Sequence, residues 1–132
     1  MQPIVLYTST LLVFLLLDAV MLTRVLRPIF ETYVSDLLAT DLRIGPALVF
    51  YLFYIAGVLY FVSLPAFREG APLSALIGGA LLGAMAYGTY EFTNYATLEG
   101  WHWRMVAVDL TWGAVLTAVS AWAGVVITRA VT

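Results

Sequence analysis

Residues Pro46–Leu64 read PALVFYLFYIAGVLYFVSL, without one charged side chain. That is close to the roughly 20 apolar residues an α-helix needs to cross the hydrocarbon of a bilayer. Three further runs share its character: about Ile4 to Leu22, about Leu73 to Tyr95 and about Met105 to Ile127. Short open strands would leave backbone groups unpaired in lipid, so helices are the spanning elements. Gly45-Pro46 opens the second helix, Pro65 closes it and Pro72 opens the third. The expected fold is all-α: an integral membrane four-helix bundle forming a single transmembrane domain over residues 1–132.

Composition agrees. Of 132 residues, 63% are hydrophobic and 11% charged, with a mean hydropathy of +0.97. Soluble domains carry about 25% charged residues, and a soluble fold this small could not hide so much apolar surface. The net charge is -2, and the six basic residues are all Arg, scattered singly. That pattern excludes nucleic acid as a partner. With no Cys, disulfides, thiolate metal sites and redox thiols are excluded. One His makes neither a haem nor a His-rich metal site, so neither a metal nor a cofactor is expected. The N-terminal apolar run lacks a basic leading region and a small-residue cleavage site, and it contains Asp18. It therefore reads as a retained first helix rather than a signal peptide.

Between the first two spans, residues 28–42 carry a helical pattern of their own. Ile29, Phe30, Tyr33, Val34, Leu37 and Leu38 share one face; Glu31, Thr32, Ser35, Asp36 and Thr40 share the other. This reads as an amphipathic helix lying in the membrane interface; the alternative is a helix packed over the mouth of the bundle. Arg24, Arg27, Arg43 and Arg104 lie in the first and third connections, against Arg68 and Arg129 in the second connection and C-terminus. The positive-inside rule then places the first and third connections in the cytoplasm and both termini outside. Trp101, Trp103 and Tyr95 suit an aromatic belt. Ala75, Gly79 and Gly83 form one small-residue stripe, and Gly113, Thr117 and Ala121 another. Such stripes let helices approach closely in lipid. Packing within the chain is the simpler use; contact with a second copy or another membrane protein is the alternative.

The sharpest signal is the placing of the acids. Asp18 lies near the end of the first helix, Glu91 near the end of the third and Asp109 near the start of the fourth. With alternating helix directions and 1.5 Å per residue, all three fall one to two turns inside the same face of the membrane. A charged side chain in a membrane helix costs several kcal/mol by insertion scales. Tyr87, Glu91 and Asn94 share a helix face flanked by Tyr90. Tyr51 and Tyr54 open the second helix at the same level, and Trp112 follows Asp109 by three residues. His102, Arg104 and Arg24 are expected to cap this level from the connections.

Three readings of the cluster stand side by side. The acids are structural, neutralised or bonded to Tyr, Asn and backbone groups, with Arg24 and Arg104 as counter-charge. Or they hold a cationic or polar ligand, such as a lipid headgroup or a hard cation. Or they are a catalytic acid and base.

The segments Phe50-Tyr51-Leu-Phe-Tyr54, Tyr87-Gly-Thr-Tyr90-Glu91-Phe-Thr-Asn94 and Asp109-Leu-Thr-Trp112-Gly113, with the early Asp18, make the chain resemble a family of small bacterial four-helix inner-membrane proteins, domain-of-unknown-function family 2177. The resemblance covers nearly the whole chain. The acid after the second Tyr is often Asp in that family; here it is Glu91, one methylene longer. The resemblance implies a multi-pass protein of the bacterial inner membrane and no established activity. Family members often sit beside genes for fatty-acid modification or stress response, which implies a link to lipids.

The expectation is therefore a small membrane protein that binds or transports a lipid, polar small molecule or cation, with membrane lipids as its surroundings. Its site is built from Asp18, Tyr51, Tyr54, Tyr87, Tyr90, Glu91, Asn94, Asp109 and Trp112. The alternatives are a lipid-modifying membrane enzyme or its accessory subunit, and a non-catalytic assembly subunit.

Overall fold

A computed structural model of the chain describes residues 2–38 and 43–132. Helix α1 (Gln2–Met21) passes through a π-turn (Leu22–Leu26) into α2 (Arg27–Val34) and a 3-10 turn (Ser35–Leu37). Helix α3 (Ile44–Val58) passes through a second π-turn (Leu59–Ser63) into α4 (Leu64–Arg68). Helices α5 (Pro72–Thr97) and α6 (Trp103–Val131) are uninterrupted. The described residues thus hold four helices long and apolar enough to cross a membrane, Gln2–Leu37, Ile44–Arg68, Pro72–Thr97 and Trp103–Val131, and no strand.

The burial pattern suits lipid rather than water. Leu16, Val49, Phe53, Phe61, Ile77 and Leu81 stand exposed around the outside. Thr10, Asp18, Ser63, Glu91, Asp109, Thr117 and Thr128 are buried inside. Apolar side chains pack as well against acyl chains as against one another, so what the bundle gathers inward is its small and polar residues.

The tightest contact is between α5 and α6. Gly79 lies against the backbone of Thr117 and Ala118, where an added Cβ would stand 2.7 Å from the Ala118 Cα. Gly83 lies on the Gly113 carbonyl, and Gly113 in turn receives the ring of Tyr87. The two small-residue stripes thus face each other within one chain, and a partner helix would have to use another face. The same device recurs where Thr10 of α1 meets Gly124 of α6.

Pro65 does not close the second helix as expected. The chain stays helical to Arg68 because the π-turn just before Pro65 widens the spiral, with the Leu64 N–H bonding the Leu59 carbonyl. This gives the proline ring room where an α-turn would press it on a carbonyl. Pro28 is prepared in the same way: the Arg27 N–H bonds the Leu22 carbonyl. The helix ends instead at Gly70, whose φ of +66° and the bonds Ala71 N–H to Ala66 O (2.9 Å) and Gly70 N–H to Phe67 O (3.1 Å) make a Schellman turn into Pro72.

Residues 28–37 are helical, but as a continuation of the first span rather than a separate element; residues 39–42 of the expected 28–42 helix lie outside the described residues. Ile29, Phe30, Tyr33 and Val34 pack on Trp101, Met105 and Val106, while Glu31, Thr32, Ser35 and Asp36 are exposed. This is the arrangement of a helix packed over the bundle mouth. Leu37, expected on the apolar face, is exposed, because the backbone leaves the α region at Val34 (φ -136°, ψ 36°).

The glycine contact is testable. Gly83→Ala places a methyl on the Gly113 backbone and should destabilise the bundle by about 1–3 kcal/mol, the usual range for overpacking. Gly57→Ala, with nothing within 4 Å, should be neutral or gain up to about 1 kcal/mol. Unfolding in mixed micelles measures both; equal effects would contradict the close α5–α6 contact.

Candidate functional site

The level carrying the acids takes shape around Asp18. Near the end of α1 it is 6% exposed. The Tyr51 hydroxyl of α3 donates to its Oδ2 (2.5 Å) and the Trp112 indole N–H of α6 to its Oδ1 (3.2 Å). Three spans are therefore tied at one carboxylate. Phe14, one turn earlier on α1, packs edge-on against Tyr51 and Tyr54 with ring centres 5.7 Å away in each case.

Glu91 of α5 is 0% exposed. The Trp101 indole N–H donates to its Oε1 (3.0 Å), while its Oε2 meets no donor among the described residues. The chain reaches this bond by turning back at Gly100, whose φ is +84° and whose α-carbon faces the Tyr33 carbonyl. A side chain at Gly100 would be strained and would crowd α2, so glycine there lets Trp101 fold under Phe30 and Tyr90. The carboxyl of Asp109, 5% exposed, stands across the α5–α6 contact from Glu91, in the register set by Gly83 on Gly113 and Gly88 on Leu110. Neighbouring carboxylates repel each other, and a shared proton or a bound cation relieves that repulsion.

A cavity of about 360 Å³ opens beside these groups. Asp18, Tyr51, Tyr87, Tyr90 and Asp109 line it, together with Leu22, Leu26, Phe30, Phe50 and Ala86. It exists because α3 packs mainly on α1 and the second span meets α5 and α6 through its π-turn and α4. Near the acids the backbones of the second and third spans stand apart, and tyrosines bridge the gap. Leu22, Phe50 and Tyr90 of its lining are exposed, so the cleft opens on the flank of the bundle.

Of the nine residues expected in the site, five line this cleft. Trp112 stands behind Asp18 and holds it. Tyr54 points deeper, where its hydroxyl and that of Thr117 are 2.9 Å apart. Glu91 lies behind Asp109, and Asn94 is half-buried beside Tyr90. The apolar wall was not anticipated, because its residues read only as lipid-facing helix. Trp101 as the donor to Glu91 was missed as well; it had suited an aromatic belt.

Arg24 and Arg104 do not supply counter-charge. Both are exposed, and the ion pair among the described residues is Arg27 with Glu31 on the surface (3.0 Å). Each Arg lies on the outward side of its turn, where its head reaches water at no desolvation cost. His102 caps α6, accepting from the Arg104 N–H (3.1 Å), and stacks on Tyr33. No group of three or more acids or His among the described residues converges closely enough to hold a metal ion.

Asp18 depends on its two donors. Tyr51→Phe and Trp112→Phe should each cost about 1–3 kcal/mol, the penalty for leaving a buried acceptor short of a partner. The double variant should lose more than the sum of the two, since the carboxylate then has no donor. Unfolding curves of the three variants test this; single losses below about 0.5 kcal/mol would show that Asp18 is held otherwise.

Neither the curated proteins nor the solved structures contain a match to this chain. The sequence model of one family, described as "Predicted membrane protein (DUF2177)", matches residues 3–126. The four apolar spans and their buried acids therefore belong, with the chain, to that family of predicted membrane proteins.

Proposed function

We propose that this protein binds a membrane lipid or lipid-like amphiphile in the lateral cleft. The observation that carries the reading is the mixed lining of the cavity: apolar Leu22, Leu26, Phe30, Phe50 and Ala86 beside Asp18, Asp109, Tyr51 and Tyr87, with both acids buried and Leu22 and Phe50 exposed. A cavity of about 360 Å³ is at the small end of ligand sites. It takes a head and its first methylenes, while the rest of the chain stays in the bilayer. A ligand arriving from water would not need the sideways opening. Placement in the bacterial inner membrane rests on the helical architecture and on the family resemblance. The Arg distribution supports cytoplasmic first and third connections.

Filling the cleft tests the reading. Ala86→Trp should lower lipid retained through native mass spectrometry several-fold. Leu81→Trp, on the exposed face of the same helix at 65% exposure, should leave retention unchanged. Equal retention in both variants would sink the proposal. For sidedness, the chain offers a background without cysteine. Glu69→Cys in the second connection should label on intact cells with an impermeant maleimide, and Glu99→Cys in the third only after lysis; the reverse pattern would invert the topology.

A further inference from the structure

No cationic side chain among the described residues pairs with Glu91 or Asp109. Register alone brings the two together: Tyr87 sits on Gly113 and Gly88 faces the Leu110 side chain, so the next turn of α5 lays Glu91 over Asp109. The ionisable groups around the pair are Asp18 from α1, Tyr51 from α3, and Tyr87 and Tyr90 from α5, all acidic or neutral. No Arg or His among the described residues pairs with either carboxyl. Glu91 Oε2 is fully buried and lacks a donor. Asp109 is the member of the pair that reaches the cleft, whose lining also includes the rings of Phe30, Phe50, Tyr51, Tyr87 and Tyr90. Aromatic rings beside a carboxylate are the surroundings that attract an ammonium group, and a quaternary one above all.

We propose that Glu91 and Asp109 share one proton, and that an amphiphile with an ammonium head binds at Asp109 by displacing it. The proposal rests on the amphiphile reading of the cleft and adds the head-group class and the exchange. The O–H bond of the pair breaks, the proton leaves by the cleft mouth, and the ammonium takes its place. The site carries one net negative charge before, as two carboxylates and a proton, and after, as two carboxylates and an ammonium, so the exchange adds no charge to a low-dielectric site.

Infrared difference spectroscopy in phosphatidylglycerol nanodiscs reads the exchange. The wild type should show the stretch of one protonated carboxyl per chain, absent in Glu91→Gln and Asp109→Asn. Dodecyltrimethylammonium should abolish that band, and dodecyl maltoside should leave it intact. Asp109→Asn should weaken dodecyltrimethylammonium binding by roughly tenfold or more. Loss of the band in phosphatidylethanolamine nanodiscs without added cation would assign the ammonium to a lipid head; loss only on adding the cation would assign it to a free cationic amphiphile. A wild-type band that ignores the cation, or that responds equally to the maltoside, overturns the proposal, and neither comparison needs a variant to fold. If Ala86→Trp still expels lipid while the band does not respond, amphiphile binding stands and proton exchange alone has failed.

Discussion

The backbone contact between α5 and α6 is the constraint on which the rest depends. Lipid gives no hydrophobic reward for bringing two apolar helices together, so they are held by close van der Waals packing along their length. Gly79, Gly83 and Gly113 allow that approach, and it fixes the register. Once Gly83 lies on Gly113, Tyr87 must fill the space over Gly113, and Glu91 must come down opposite Asp109. The acid pair is thus a consequence of glycines two turns away. A shift of one residue along α6 would turn Asp109 toward lipid, where a carboxyl is costly.

The second span supplies the contrast. Its first half is not pressed against α5 and α6, and the gap is bridged by long side chains: Tyr51 to Asp18, Tyr54 to Thr117. Both π-turns serve this looser half of the molecule. The first presents Leu22 and Leu26 to the cleft wall, and the second begins where the span returns to α5 and α6. In each case a proline follows two residues after the turn, so local proline chemistry is coupled to where the bundle opens.

Much of this was legible in the sequence because it depends on local quantities. Hydropathy marks spans, helix rise sets depth, and alternating direction puts Asp18, Glu91 and Asp109 on one level. What could not be read depends on the path of the chain through space. Trp101 reaches Glu91 only because Gly100 adopts a left-handed turn, and nothing in Glu99-Gly100-Trp101 says which way that turn sends the indole. The cleft wall escaped notice because Leu22, Phe50 and Ala86 look like any lipid-facing residues until α3 stands clear of α5. Arg24 and Arg104 misled for a simpler reason. Proximity in sequence suggested pairing, whereas an Arg at a helix end keeps its solvation by facing outward.

The three acids prove unequal, and that inequality separates readings that the sequence left tied. Asp18 accepts two hydrogen bonds, which is enough to make it the structural tie of α1, α3 and α6. Glu91 accepts one and leaves an oxygen unmet. Asp109 stands across the α5–α6 contact from Glu91. Asp18 is thus the best satisfied of the three, and the buried oxygen left unmet belongs to Glu91, behind Asp109. Buried polar groups are paired as a rule, so the unmet oxygen of Glu91 is what favours a proton or a positive charge at this pair. A purely structural cluster would have spread its donors evenly. Here two donors go to Asp18 and one to Glu91, and the pair, which meets the cleft through Asp109, is left to a proton or to whatever cation the membrane brings.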